Sequence, residues 1–196
     1  MSAVKQLLIL ACLAFASPAV AQNYLDFGGM YGLGSGGSVT YANPYTNAAS
    51  CPSGYTAYRI LGTPNTDNPV FFCGKFTSGG TTPVADFGGM YGAGAARNHP
   101  NPITGGLSCP AGYTSTQVLG TINVDYPMFF CHKAGTANSQ YRFGGMFGYY
   151  WNGSDHLAYN NPLTTSPSCP TNYTRASALG SEYIDYEVNN CYLKMY

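Results

Sequence analysis

The chain has 196 residues with 8 Lys or Arg and 8 Asp or Glu, a charged share of 8% where ordinary globular domains carry ~25%. A nucleic-acid binder needs clustered Lys and Arg to displace counterions, and an acidic disordered tail needs surplus like charge, so both classes are excluded. An apolar share of 45% can fill the core of a single domain, while 25 Gly, 13 Pro and 18 Tyr predict many turns and a surface solvated by hydroxyls and amides.

In chain order, the first element is an address. Lys5 is followed by the apolar run Leu7 to Phe15 and then by Ala19-Val20-Ala21, the small residues a signal peptidase requires. Residues 1–21 are therefore read as a signal peptide cleaved before Gln22. The run is too short to cross the ~30 Å of a bilayer, and no later stretch approaches the ~18 apolar residues of a spanning helix. The expectation is a secreted chain without a transmembrane segment, with 22–196 as a single domain.

That domain is a triplication. Phe27-Gly28-Gly29-Met30-Tyr31-Gly32 returns as Phe87-Gly88-Gly89-Met90-Tyr91-Gly92 and as Phe143-Gly144-Gly145-Met146-Phe147-Gly148, giving repeats over 27–76, 87–133 and 143–194. Asn43-Pro44, Asn101-Pro102 and Asn161-Pro162 each stand eight residues before a cysteine, Cys51, Cys109 or Cys169, that is flanked by Ser and Pro. From each of these cysteines the repeats stay in phase through Tyr-Thr, Leu-Gly, an Asp (Asp67, Asp125, Asp185) and a second cysteine 22 residues on.

The segments Tyr55 to Leu61, Tyr113 to Leu119 and Tyr173 to Leu179 alternate and are rich in β-formers. Val70-Phe71-Phe72-Cys73 and Met128-Phe129-Phe130-Cys131 are short apolar runs behind turn residues. The Gly-Gly motif reads as a strand carrying a bulge or admitting a close neighbour. With no convincing helix, the fold class is all-β. A pseudo-three-fold β-prism of three disulfide-closed repeats is favoured over a β-trefoil, whose six-stranded barrel suits units of this length less well.

Once Cys12 leaves with the signal, six cysteines remain, an even number in a secretory context, so disulfides are expected. Three-fold repetition allows pairing within repeats or head to tail around a ring. Pairing within repeats is favoured: Cys51–Cys73, Cys109–Cys131 and Cys169–Cys191, each closing a loop of 22 residues worth ~3 kcal/mol of chain entropy. The cysteines of each unit lie far apart with no CxxC pair, so no metal or other cofactor is expected.

The order Phe-Gly-Gly-Met, Asn-Pro-x-Thr, Ser-Cys-Pro-x-x-Tyr, Leu-Gly, Asp and Cys, running from Phe27 to Cys191, resembles the repeats of the β-prism domain of macrophage-expressed perforins. It is carried best by Asn101-Pro102-Ile103-Thr104-Gly105 with Ser108-Cys109-Pro110, and by Asn161-Pro162-Leu163-Thr164 with Ser168-Cys169-Pro170. The vitelline outer layer membrane proteins are a more distant likeness. The resemblance implies an extracellular prism and, from the perforins, binding of lipid headgroups. The resemblance does not extend to the pore-forming domain of those proteins, so pore formation is not expected.

Candidate ligand residues are of two kinds. Asp67, Asp125 and Asp185 recur in every unit and could line equivalent sites, although an Asp before a strand also commonly fixes a turn. Tyr149-Tyr150-Trp151 lies in the longest variable loop and holds the single Trp; such rings stack on sugars or sit at a membrane interface. Asn152-Gly153-Ser154 and Asn172-Tyr173-Thr174 are N-glycosylation sequons. Asn189-Asn190 replaces the Phe-Phe pair of the other units, which predicts a less apolar or more exposed face there. Gly32-Leu33-Gly34-Ser35-Gly36-Gly37 matches a dinucleotide fingerprint but opens no helix, and neither a nucleophile elbow nor a paired carboxylate appears.

The chain is therefore expected to be non-enzymatic. Its partners are expected to be glycans or lipid headgroups or, for a structural protein of an extracellular coat or matrix, further copies of itself.

Overall fold

The computed structural model describes residues 24–33, 40–62, 69–77, 85–93, 98–119, 127–135, 141–151, 156–179 and 186–195. The segment assigned to a signal peptide lies outside them. Each repeat supplies four strands: β1 (Tyr24–Leu33), β2 (Thr40–Tyr41), β3 (Thr56–Leu61) and β4 (Val70–Thr77) in the first; β5 (Ala85–Ala93), β6 (Asn98–His99), β7 (Thr114–Leu119) and β8 (Met128–Ala134) in the second; and β9 (Tyr141–Trp151), β10 (His156–Tyr159), β11 (Thr174–Leu179) and β12 (Tyr186–Lys194) in the third. No helix occurs among the described residues, and none there could cross a membrane.

The described strands pair antiparallel in two sheets. One follows the order β3-β4-β1-β5-β8-β7 with β2 beside β1 and β6 beside β5; the other is β10-β9-β12-β11. The first and second repeats join in the larger sheet through Phe27 opposite Ala85. Neither sheet closes into a barrel, which removes the β-trefoil alternative, since that fold is built on one. The three disulfides pair within repeats, Cys51–Cys73, Cys109–Cys131 and Cys169–Cys191, the favoured of the two symmetric arrangements. Disulfide bracing fits a secreted or extracellular protein.

The core is built from the same position of every repeat. The rings of Phe27, Phe87 and Phe143 form a triangle, with centroids 4.9, 5.2 and 4.7 Å apart. Met30, Met90 and Met146 are fully buried beside them, as are Val70, Met128 and Val188. Phe130 of the second repeat packs edge-on against Phe27 of the first, and Phe72 of the first against Phe143 of the third. Glycines let the repeats approach backbone to backbone: a Cβ on Gly32 would overlap the Val118 carbonyl, one on Gly92 that of Ala178, and one on Gly148 that of Ile60. First meets second, second meets third, and third meets first.

The recurring polar motifs hold one local device. Pairing of β1 with β4 slips between Phe27 and Met30, where Gly29 takes φ +90°, a left-handed value that glycine adopts without strain. The Asn43 side chain fills the slip. Its Nδ2 donates to the Gly28 carbonyl at 2.9 Å and to that of Ser50 at 3.2 Å, and its Oδ1 accepts from the Tyr45 amide. Asn101 and Asn161 repeat the bonds to Gly88 and Gly144, and all three asparagines are completely buried. The Tyr55, Tyr113 and Tyr173 rings lie over Gly28, Gly88 and Gly144, where a Cβ would strike them.

Candidate functional site

In every repeat the strand ends facing the connections β1 to β2 and β3 to β4 lie side by side: Gly32 is opposite both Tyr41 and Val70, and Leu61 is also opposite Val70. Because Gly32 meets Val118, Gly92 meets Ala178 and Gly148 meets Ile60, these ends gather at one end of the molecule. The third repeat departs from the others there. β1 and β5 pair with their short partners through two residues each, whereas β9 and β10 pair through four, Gly148 to Trp151 against Tyr159 to His156.

Tyr149, Tyr150 and Trp151 therefore end a strand of a hairpin and do not sit in a loop, as their sequence position had suggested. The residues inserted in this repeat extend the ladder, since continued antiparallel pairing satisfies backbone groups that a loop would leave to water. Tyr149 and Leu157, two of the four exposed large apolar residues among those described, both belong to this hairpin. The Tyr149 ring stands edge-on to Phe147, and its hydroxyl donates to the Pro167 carbonyl at 3.2 Å.

Next to Tyr149 the outer face of this sheet is unlike its counterparts. Opposed residues of antiparallel strands share a face, so register places Phe147 and Tyr149 of β9 beside Asn189 and Glu187 of β12, with Ser177 and Arg175 of β11 beyond. In the first repeat the same face holds the stacked rings of Tyr31 and Phe71 with Arg59 over Phe71, and in the second the stack of Tyr91 on Phe129. In the third, Asn189 replaces the second ring. Arg175 crosses the face: its Nε donates to Asn189 Oδ1 at 3.0 Å, its terminal nitrogen meets Glu187 Oε1 at 2.6 Å, and its guanidinium carbon stands 5.9 Å from the Phe147 centroid.

Asn189 is 0% exposed, yet its Nδ2 has no hydrogen-bond partner. A buried donor left unsatisfied costs ~1–3 kcal/mol, a cost the Phe of the other repeats does not incur. Neighbouring Asn190, at the interior position of Phe72 and Phe130, is also fully buried; its Nδ2 donates to the Ala176 carbonyl while Oδ1 stays unpaired. Replacing Phe-Phe by Asn-Asn has thus made the region less apolar without exposing it, the first of the two alternatives the sequence offered. Sequence reasoning did not bring Arg175, Glu187 and Asn189 together. The Asn-Asn exception was their only signal, because their convergence depends on strand register.

Asp67, Asp125, Asp185 and Asn152 lie outside the described residues. Asn172 is exposed, at φ +70° in the turn before β11, where the other repeats have Gly54 and Gly112 at φ +80° and +81°. Backbone geometry thus accounts for this asparagine independently of the sequon. A separate polar seam joins the first two repeats: Tyr45 Oη lies 2.7 Å from His132 Nδ1, Thr116 Oγ1 lies 2.8 Å from His132 Nε2, and the Tyr113 hydroxyl donates to Asp86. Burial raises the Tyr45 hydroxyl above its ordinary pKa of 10.0, with Asp86 adding to the shift, and burial lowers His132. No protein-family model and no curated protein matches this chain.

Proposed function

We propose that the chain is a secreted, non-enzymatic recognition module, built as a three-repeat β-prism, that binds glycans or membrane lipid headgroups through the β9–β10 hairpin. The prism reading is supported by four strands from each repeat, the Phe27–Phe87–Phe143 triangle and the cyclic glycine contacts. The observation that carries the binding reading is the lengthened hairpin of the third repeat, which exposes Tyr149 beside a polar face and Leu157, the register partner of Tyr150, on its other face. Rings with an apolar face and a polar edge suit both sugars and the interfacial layer of a membrane. The likeness of the repeats to the perforin prism adds weight to the headgroup option.

The test is sedimentation with phospholipid vesicles and a glycan array, run on the wild type and on Trp151→Ala. Binding to either surface that falls at least severalfold in the variant supports the reading; no binding to either overturns it. The low charge and 18 tyrosines also suit a coat or matrix protein, because weak repulsion lets copies associate and tyrosines can be crosslinked oxidatively. Recovery from tissue as a freely soluble monomer would count against that second reading.

A further inference from the structure

We propose that the outer face of the third repeat is a saccharide-binding site for uncharged sugars, formed by Tyr149, Arg175, Glu187 and Asn189. The inference rests on the recognition reading above and names its ligand class and polar contacts. Tyr149, 36% exposed, is the stacking platform. One strand away, the Glu187 carboxylate, whose side chain is 7% exposed, accepts from a sugar hydroxyl when the 44% exposed Arg175 side chain shifts, and the guanidinium donates to the sugar. Their mutual ion pair at 2.6 Å leaves the face without net charge, which selects neutral sugars over sulfated or sialylated ones.

Asn189 marks the site as incomplete. Its carboxamide is fully buried on this face, its oxygen is engaged by Arg175, and its N–H donors have no acceptor. The first two repeats show that a Phe at this position folds and packs, with Phe71 on Tyr31 and Phe129 on Tyr91. The asparagine is thus not required by the fold, and a ligand hydroxyl that enters as Arg175 turns aside supplies the missing acceptor. The Arg175 side chain is 44% exposed but that of Glu187 only 7%, so the ligand hydroxyls have to take over the bonds to a buried carboxylate as Arg175 moves.

The test uses the disulfide-bonded protein and uncharged oligosaccharides of glucose, galactose, mannose and N-acetylglucosamine, first on an array and then by calorimetry with the best binder. Tyr149→Ala and Glu187→Gln are each expected to weaken binding by about tenfold or more. Asn189→Phe, which installs the side chain of the other repeats, is expected to abolish binding with no loss of thermal stability, separating recognition from folding. Saturable binding unchanged in Asn189→Phe and Tyr149→Ala overturns the site while leaving the recognition reading intact. Preference for anionic glycans, or binding to vesicles alone, also overturns it; absence of any binding removes both.

Discussion

Gly148 of the third repeat lies so close to Ile60 of the first that a single methyl group on it would overlap the Ile60 carbonyl. Gly32 against Val118 and Gly92 against Ala178 complete the same contact between the other repeats. Backbone cannot retreat as a flexible side chain can, so Gly148→Ala has to separate two strands. Its cost is expected to be about 3 kcal/mol, the upper part of the usual range for overpacking. Gly106→Ala, where the nearest atom to an added Cβ is 3.7 Å away, is the matched control and should stay within about 0.5 kcal/mol. Urea midpoints at constant slope measure both.

The asparagine in each bulge is a second point of concentrated stability. Asn101→Ala removes the donor to the Gly88 carbonyl and the acceptor of the Ile103 amide, leaving buried backbone groups unpaired. The expected loss is about 3 kcal/mol. Asn101→Asp should do no better: it keeps the acceptor but sets a carboxylate against the carbonyls of Gly88 and Ser108. An Asp variant as stable as wild type would show that the donor bonds contribute little.

These relationships were partly legible beforehand. Period narrowed the disulfides to two symmetric pairings, within repeats or head to tail, and the favoured within-repeat set is the one found. Gly28-Gly29 could be read as a bulge, but the reason for both glycines could not: Tyr55 and Asn43 reach them only once the chain has folded back. Tyr149 to Trp151 was misplaced because an insertion looks alike in sequence whether it lengthens a ladder or a loop. The Arg175–Glu187–Asn189 face stayed hidden for a related reason. Its members lie on separate strands, and only the register that sets Asn189 opposite both Phe147 and Ser177 brings them together.

At Asn172 the left-handed backbone makes a prediction that side-chain contacts do not. Glycine fills the equivalent turn in the other repeats, so Asn172→Gly should leave stability within about 0.5 kcal/mol of wild type. Asn172→Val should lose about 1–2 kcal/mol, because a β-branched residue is strained at φ +70°. The thermal midpoints of unglycosylated protein decide the matter. Equal midpoints for the Gly and Val variants would mean that the turn relaxes to another conformation at no cost.

His132 makes stability depend on pH in a direction that can be worked out. Its imidazole is buried against Phe130, held between Tyr45 and Thr116, and burial lowers its pKa below the ordinary 6.5. In the unfolded chain it titrates near that ordinary value, so around it the unfolded state binds more protons than the native one. Stability then rises with pH through this window, is complete above about pH 7.5, and is lost as pH falls from there toward the folded value. The groups facing the ring are the neutral Tyr45 and Thr116, with Asp86 close by on β5, paired to the Tyr113 hydroxyl. Urea midpoints should therefore drop between about pH 8 and about pH 5.5, a range in which ordinary carboxylates scarcely titrate. His132→Gln should be less stable than wild type at the upper pH but show a smaller drop; an unchanged drop would assign the dependence to another group.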